Sequence, residues 1–207
     1  MNKTRATPSR STPGSVRIIG GQWRGTRLPV PDRPGLRPTS DRVRETLFNW
    51  LQPVLSGARV LDLFAGSGAL GLEAASRGAA QVQLVEADPG LVRALQEAVV
   101  RLHAQDQVAV QAGDALAFLR APVATSCDIA FVDPPFADGL WPAVLALLPA
   151  RMAADGWIYL ESPADQSPQM PADWALHREN RTRDVRYALY RRVTLQVPLQ
   201  SCGTATT

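Results

Sequence analysis

Cysteine, lysine and long apolar stretches are all scarce in this chain of 207 residues. The two cysteines, Cys127 and Cys202, are too few for a disulfide framework and favour a reducing cytoplasm as the environment. No run of about eighteen apolar residues exists, and the polar, basic first residues lack the apolar core of a signal peptide. We therefore expect no membrane span and no secreted disulfide scaffold, but one α/β domain with appendages.

Charge is unevenly distributed along the chain, although the net charge is only +3. Residues 1–50 hold ten basic and three acidic side chains, residues 51–177 hold six and fourteen, and residues 178–192 hold six and two. Two basic flanks around an acidic centre indicate a polyanion that the flanks bind. All but one of the 22 basic residues are arginine, which favours bidentate phosphate contacts. Solvated surface charge or a biased genomic composition would give the same counts.

The N-terminal quarter predicts an arm followed by an extension. Residues 1–15 are mostly Thr, Ser, Pro, Arg and Gly, which predicts a disordered basic arm. Residues 16–53 predict an extension in which a β-hairpin precedes a helix. The expected elements are strands over 16–19 and 22–30, a proline-rich segment, and a helix from the Thr39-Ser40-Asp41 cap to about Gln52, ended by Pro53 and Gly57.

After this extension, strand-like and helix-like segments alternate. The expected strands cover residues 60–64, 81–86, 108–110, 129–132 and 156–161, the helices between them begin near 69, 89, 115 and 138, and a last hairpin pairs 174–178 with 187–195. This alternation predicts an α/β fold with a doubly wound, mostly parallel seven-stranded sheet and an antiparallel terminal hairpin. We place this domain at residues 54–195, and residues 196–207 predict a frayed tail.

Acidic residues stand at the ends of four successive predicted strands, namely Asp62, Glu86, Asp114 and Asp133. Open α/β sheets bind their ligands at the carboxyl ends of the strands. Four carboxylates on one rim repel each other, so a purely structural domain has no need of them. The pattern therefore predicts a ligand site, although helix capping would also explain Glu86 and Asp114.

A glycine-rich turn, Gly66-x-Gly68-x-x-Gly71, follows the first of these strands. Such a turn lets backbone approach a ligand at a helix N-terminus, and by itself it fits a dinucleotide site nearly as well. The acidic rim argues against an anionic pyrophosphate and for S-adenosylmethionine, which has no phosphate but carries a sulfonium and an ammonium.

The acids of the rim suit the separate parts of that donor. Glu86 can accept both ribose hydroxyls, while Asp114 and the backbone N–H of Ala115 can bind the adenine. Asp62, with Phe64 after it and the glycine turn beyond, can face the methionine end. These residues are our candidate cofactor-binding set, and we expect no metal.

The motif Asp133-Pro134-Pro135-Phe136 ends a buried apolar strand. Two prolines make the turn stiff, because neither offers an N–H and the second restricts the first. The turn thus presents a carboxylate, backbone carbonyls and an aromatic ring, which together can hold an exocyclic amino group of a planar base. These four residues are the candidate catalytic set. A tight turn with a capping aspartate and a core phenylalanine would have the same sequence.

Residues 59–161 resemble a class I S-adenosylmethionine-dependent methyltransferase, and the Asp133 motif resembles that of the amino-methylating branch. The segments 17–25, 36–39, 41–51 and 62–71, which read RIIGGQWRG, LRPT, DRVRETLFNWL and DLFAGSGALG, are more specific. They resemble the bacterial small-subunit rRNA guanine-N2 methyltransferase family over residues 16–193. Where we expect a glycine in the last hairpin turn, this chain has Arg183.

The resemblance implies a Rossmann-like fold and transfer of one methyl group to N2 of a guanine in 16S rRNA. The expected target is guanine 966, as in the 16S rRNA (guanine(966)-N2)-methyltransferase type. It implies a 30S subunit or an assembly intermediate as partner, no membrane, and a monomer in the cytoplasm. The candidate phosphate contacts are arginines of the N-terminal extension: Arg17, Arg24, Arg27, Arg37, Arg42 and Arg44. A DNA or other RNA amino-methyltransferase and a non-catalytic ribosome-binding protein remain alternatives.

Overall fold

The computed structural model describes residues 14–30, 39–122 and 125–194. Most of the expected arm, the expected tail, and with them Arg37 and Cys202, lie outside these ranges. None of the described helices is long and apolar enough to cross a membrane.

The N-terminal hairpin is shorter than expected. Strands β1 (Gly14–Arg17) and β2 (Arg27–Val30) pair antiparallel, so the second strand begins five residues later than the sequence suggests. The intervening backbone bonds elsewhere: Gln22 N donates to Ser76 O at 2.8 Å, and Trp23 N donates to Ser76 Oγ at 3.0 Å. These donors are therefore withdrawn from strand pairing and attach the turn to the main domain.

Helix α1 (Asp41–Leu55) begins at the expected cap, where Ser40 Oγ accepts from Val43 N. The expected end near Gln52 is wrong, because the helix continues through Pro53 to Leu55. Proline lacks the N–H that the helix interior uses. Burial of Leu51 and Leu55, one turn apart on the same face, offsets that missing hydrogen bond.

The main domain is a seven-stranded sheet flanked by helices. Its strands are β3 (Arg59–Asp62), β4 (Gln81–Glu86), β5 (Val108–Ala112), β6 (Cys127–Val132), β7 (Met152–Pro163), β8 (Trp174–Arg181) and β9 (Val185–Arg192). Its helices are α2 (Gly71–Ser76), α3 (Pro89–Arg101), α4 (Ala115–Arg120) and α5 (Trp141–Leu147). Helix α5 begins three residues later than expected, because residues 136–138 form a 3-10 turn and Gly139 has a φ of +57°.

The strand order is β5-β4-β3-β6-β7-β9-β8. Neighbouring strands from β5 to β7 are parallel, while β9 pairs antiparallel with both β7 and β8. This is the predicted mostly parallel sheet with an antiparallel terminal hairpin. The order reverses direction between β3 and β6, which is where open α/β sheets bind ligands.

Two apolar layers cover the two faces of the sheet. On one face α1, α2 and α3 pack on side chains such as Phe131 and Tyr159, whose rings meet edge to face at 6.1 Å. On the other face α4 and α5 pack on side chains such as Leu61 and Ala130. Helix α1 thus shares its core with the sheet, so the N-terminal extension is docked on the domain rather than separate from it.

Candidate active site at the strand ends

A cavity of about 810 Å³ opens at the carboxyl ends of the parallel strands. That volume lies within the usual range of small-molecule sites. Residues from the ends of β3, β4, β5, β6 and β7 line it, and Thr39 and the β8–β9 turn complete its wall. Among the residues that the structure describes, the lining contains several acids and no lysine, arginine or histidine.

Asp62, at the end of β3, is 3% exposed and lines the cavity. Its Oδ2 accepts from Gly71 N at 2.9 Å, which joins the strand end to the start of α2. Gly66, at φ +53°, and Phe64 also line the cavity.

Gly68 and Gly71, which the sequence groups with the cofactor site, are placed behind the cavity lining. A Cβ on Gly71 would lie 2.2 Å from Leu84 Cδ2, and one on Gly68 would lie 2.7 Å from Leu95 Cδ2. These glycines therefore permit close packing of the turn on the sheet and on α3, while Gly66 provides the backbone at the cavity.

Glu86, at the end of β4, lines the cavity and also holds its loops together. Its Oε2 accepts from Gly66 N and its Oε1 from Asp88 N, both at 2.8 Å. Glu86 therefore has structural partners in addition to its place on the cavity lining. Each carboxylate oxygen keeps a second lone pair, so the two bonds orient the group without using up its capacity as an acceptor.

Asp114 and Ala115 follow β5 and line the next part of the cavity. Asp114 Oδ1 accepts from Ala117 N at 2.8 Å and so caps α4. The capping alternative is therefore correct for this side chain, and its position on the lining leaves it able to contact a ligand as well.

The turn after β6 brings the four candidate catalytic residues to the cavity. Asp133 is half-buried, Pro134 is buried, and Pro135 and Phe136 are exposed. The Phe136 side chain is 36% exposed, and its ring lies 5.8 Å from the Trp141 ring. The turn therefore brings a carboxylate and an accessible aromatic ring to the cavity lining.

Glu161, in β7, is a cavity residue that we did not select from the sequence. It is 5% exposed, and its Oε1 accepts from Tyr159 OH at 2.7 Å and from Thr39 Oγ1 at 3.1 Å. The signal was present, because the fifth predicted strand ends in this acid just as four others do.

Asp62, Asp133 and Glu161, hereafter the cavity acids, all have raised pKa values. Burial raises the pKa of Asp62 to about 7, and the charge of Glu86 adds to the effect. Burial raises the pKa of Asp133 well above its ordinary value, and the charges of Glu161 and Asp62 raise it further. Burial also raises the pKa of Glu161. The main cause is common to all three: the carboxylates are withdrawn from water, and no cation among the described residues contributes to lowering their pKa values.

Arg44 is wrongly assigned as a phosphate contact. It is 1% exposed, and it donates to Arg17 O at 2.8 Å and to Asp41 Oδ1 at 2.6 Å. Its Nη1 also lies 3.6 Å from Glu73 Oε2. A buried guanidinium with these partners supports the fold and cannot reach an external phosphate.

Glu73 is the centre of this second, internal cluster, hereafter the Glu73 site. It is fully buried in α2 and accepts from Ile19 N at 2.7 Å, from Gly20 N at 2.8 Å and from Arg77 Nε at 2.6 Å. The site ties the N-terminal turn and α1 to the main domain.

The remaining candidate arginines that the structure describes, Arg17, Arg24, Arg27 and Arg42, are exposed. Arg17 forms an exposed ion pair with Asp41 at 3.2 Å. All four belong to the N-terminal hairpin, its turn or the first turn of α1.

The terminal hairpin turn adds Asp184 and Val185 to the cavity wall. Thr182 N donates to Val185 O at 2.8 Å, which closes the turn. Among the described residues other than glycine, only His103 has a positive φ. Arg183 therefore occupies the turn without backbone strain, although the resemblance led us to expect glycine there.

Comparison with known proteins agrees with this architecture. Ribosomal RNA small subunit methyltransferase D of Escherichia coli (strain K12) is 50% identical over 188 residues, covering 89% of this chain and 94% of the relative. The Haemophilus influenzae protein of the same name is 41% identical over 181 residues, covering 86% and 94%. The solved structure of the E. coli protein yhhF has a TM-score of 0.81 and 48% identity, and covers 87% of this chain and 99% of that one.

The sheet order and the ligand cavity at its reversal define the class, a Rossmann-like S-adenosylmethionine-dependent methyltransferase. A family model described as Conserved hypothetical protein 95 matches residues 16–191. With the identities above, it shows that the chain belongs to the family of ribosomal RNA small subunit methyltransferase D. The resemblance and the fold predicted from the sequence are thereby confirmed.

Proposed function

We propose that this protein transfers a methyl group from S-adenosylmethionine to the exocyclic N2 of a guanine in 16S rRNA, within the 30S subunit or an assembly intermediate. The observation that carries the proposal is the Asp133–Phe136 turn, which presents acceptors and an exposed ring to a cavity lined by acids. The rRNA substrate is supported by the names of the relatives.

The cavity fits a cationic donor without phosphate. Glu86 would accept the ribose hydroxyls, and Asp114 with the N–H of Ala115 would bind the adenine. Asp62 and the backbone at Gly66 would face the ammonium and carboxylate of the methionine part. Because the pKa of Asp62 is raised by burial and by Glu86, a bound cation would stabilise its ionised form.

When bound, S-adenosylmethionine supplies a methyl group on a sulfonium, which is already strongly electrophilic. The guanine N2 lone pair is delocalised into the ring, so the protein's task is to orient it. The Asp133 carboxylate and the Pro134 carbonyl would accept the two N2–H hydrogens, and Phe136 would stack on the base after it leaves its helix. Positioning of this kind contributes about 7–11 kcal/mol to lowering a barrier.

Asp133 is also the proposed acceptor of the proton that leaves N2. Once N2 gains the methyl group it is cationic and acidic, and one N2–H proton must leave. Burial and the neighbouring acids raise the pKa of Asp133, so this carboxylate is a better proton acceptor than an exposed aspartate.

The basic N-terminal extension, residues 16–53, is proposed to hold the RNA, while residues 54–195 carry out the transfer. Arg17, Arg24, Arg27 and Arg42 are the proposed phosphate contacts. Arg181 and Arg183 are exposed in the terminal hairpin, whose turn residues Asp184 and Val185 line the cavity, and are further proposed phosphate contacts.

Changing Arg24 and Arg42 together to alanine tests this grip. Binding to 30S particles should weaken, and the slope of log affinity against log salt should become shallower by about 0.7 for each phosphate that is no longer neutralised. Donor affinity should not change. Arg120→Ala, an exposed arginine at the end of α4, is the matched control. An unchanged slope with weakened donor binding would show that the extension closes the donor site instead.

Transfer of labelled methyl groups tests the function itself. Unmethylated 30S particles should accept label at one guanine, and free 16S rRNA and duplex DNA should accept little or none. Preferential labelling of DNA would identify a DNA amino-methyltransferase. Tight binding to 30S particles without any transfer would identify a ribosome-binding protein without activity.

A further inference from the structure

Glu161 occupies the position beside Asp133 on the neighbouring strand. In the parallel β6–β7 pair, Phe131 aligns with Tyr159 and Val132 with Leu160, so Asp133 and Glu161 come next in the same register. Phe131 and Tyr159 lie on one face of the sheet, and residues two positions further on share that face. Neighbouring strands lie about 4.8 Å apart, so Asp133 and Glu161 are neighbours at the cavity, and the charge of Glu161 helps to raise the pKa of Asp133.

Hydrogen bonds fix the orientation of Glu161. Tyr159 OH and Thr39 Oγ1 both donate to Oε1, and Trp141 Nε1 donates to the Glu161 backbone carbonyl at 2.9 Å. The same indole lies against the Phe136 ring. The side chain is thus held by one of its oxygens, while the residue as a whole lines the cavity.

Fold stability does not explain a carboxylate at this position. Among the described residues, no cation lies within ion-pair distance of Glu161, and burying an unpaired carboxylate is costly. A glutamine would accept the same hydrogen bonds from Tyr159 and Thr39 at lower cost. The charge is therefore better explained by a ligand that donates a hydrogen bond to it.

Among the four standard RNA bases, guanine alone places a ring N–H next to an exocyclic amino group. Adenine and cytosine each place a ring acceptor beside their amino group, and a carboxylate opposite that acceptor would be repelled. Two adjacent carboxylates match the N1–H and N2–H₂ edge of guanine and mismatch the other two amino bases.

We propose that Glu161 is a specificity-determining residue of this site, whose carboxylate accepts the N1–H of a guanine held by its N2 amino group at Asp133. The inference rests on the proposed function and deepens it. It assigns recognition of the base to Glu161, while Asp133 holds the reacting nitrogen.

The test compares guanine with 2-aminopurine at the target position. 2-Aminopurine keeps the 2-amino group, but its N1 is an acceptor without a proton. The methylated position is first mapped with the unmodified chain, and 30S particles are then reconstituted with 16S rRNA carrying either base there. Methyl transfer is measured for the unmodified chain, Glu161→Gln and Asp138→Asn. The last removes an exposed acid from the same cavity wall.

The unmodified chain should methylate guanine particles about 10- to 100-fold faster than 2-aminopurine particles, the range expected for a hydrogen bond to a charged group. Glu161→Gln should bring the two rates within a few-fold, because a glutamine amide can also donate to the acceptor N1. Asp138→Asn should keep the original ratio. Donor affinity of Glu161→Gln should match the unmodified chain, and its melting temperature should be equal or higher, because a buried charge is removed.

Two failures are distinguishable. If the unmodified chain methylates neither particle, the proposed function fails and the inference fails with it. If it methylates guanine particles and Glu161→Gln discriminates equally well, only the inference is overturned. Tyr159→Phe, which removes one bond orienting Glu161, is the second variant should Glu161→Gln not fold. It should lose part of the discrimination, and full retention would overturn the proposal.

Discussion

The Glu73 site and the cavity acids are both buried carboxyl clusters, but their surroundings differ. Glu73 accepts two backbone N–H groups and lies between the guanidinium groups of Arg77 and Arg44. Asp62, Asp133 and Glu161 have mainly other acids as charged neighbours, and their pKa values are raised by burial and, for Asp62 and Asp133, by those charges. Among the residues that the structure describes, the first cluster has cationic partners and the second has none.

This difference separates structural from functional acids by a physical criterion. A buried charge that is paired and hydrogen-bonded belongs to the fold, and removing it leaves its partners with the full desolvation penalty. A buried charge without a cation destabilises the free protein and is retained where a ligand compensates for it. The cavity acids should therefore be dispensable for folding and essential for activity, and Glu73 should behave in the opposite way.

The largest effect is expected from Asp133→Ala. Methyl transfer to 30S particles should fall by about a thousandfold or more, since the reacting nitrogen is no longer positioned. Donor affinity should stay within a few-fold, and the free energy of unfolding should stay equal or rise, because one repulsive charge is gone. Calorimetric titration, turnover and urea unfolding measure the three quantities. Near-normal turnover would remove Asp133 from the mechanism.

Glu73→Ala should lower the free energy of unfolding by about 3–5 kcal/mol, because Arg44 is left buried with one partner fewer and two backbone N–H groups lose their acceptor. Urea unfolding measures it. Glu97→Ala, an exposed glutamate of α3, is the control and should change stability by only a few tenths. A loss as small as that of the control would contradict the structural assignment of Glu73.

Glu86→Ala should affect both donor binding and stability, because Glu86 lines the cavity and also accepts hydrogen bonds from two backbone N–H groups. Donor binding should weaken by about 1.5–3 kcal/mol, and the melting temperature should fall as well. Calorimetry with S-adenosylmethionine and a thermal scan test both. A lower melting temperature with unchanged donor affinity would make Glu86 a structural residue alone.

The smallest effect is expected from Asp62→Asn and depends on pH. The folded state raises the pKa of Asp62 from 3.8 to about 7, so between these values the folded state binds the proton more tightly than the unfolded state. The contribution of Asp62 to the stability of the free protein must therefore fall as pH rises from about 4 to about 7. Asparagine can still accept from Gly71 N, so the variant should melt a few degrees higher at pH 8, and this difference should shrink as the pH falls and nearly vanish at about pH 4.

Donor binding by Asp62→Asn provides a second test of the role of Asp62. Asp62→Asn should also bind S-adenosylmethionine more weakly at pH 8, because its positive charge no longer finds an anion there. A variant that binds the donor as well as the unmodified chain at pH 8 would place Asp62 outside the donor site.

Much of the fold followed from local patterns. Apolar strands alternating with capped helices predicted the parallel sheet, and Ser40, Asp88 and Asp114 cap helices where the sequence places helix starts. The convergence of Asp62, Glu86, Asp114 and Asp133 followed from one rule, that the strands of a parallel sheet end on the same side. These are properties of sequence neighbours or of regular geometry, so they can be deduced before the chain is folded.

Other features depended on contacts between residues far apart in sequence. In the sequence Arg44 could not be distinguished from the exposed arginines near it, but the fold buries it against Glu73, 29 positions away. The sequence predicts Gln22 and Trp23 to be strand residues, but their backbone N–H groups donate to Ser76 instead of to a neighbouring strand. Glu161 became a site residue because β7 lies beside β6 and Thr39 reaches across to it. The sequence by itself determined which residues end strands and which carry charge. Only the tertiary structure decided which of these charges are neutralised by a partner and which remain at the cavity. The reason is that neutralisation depends on which residues distant in sequence come into contact with each charge.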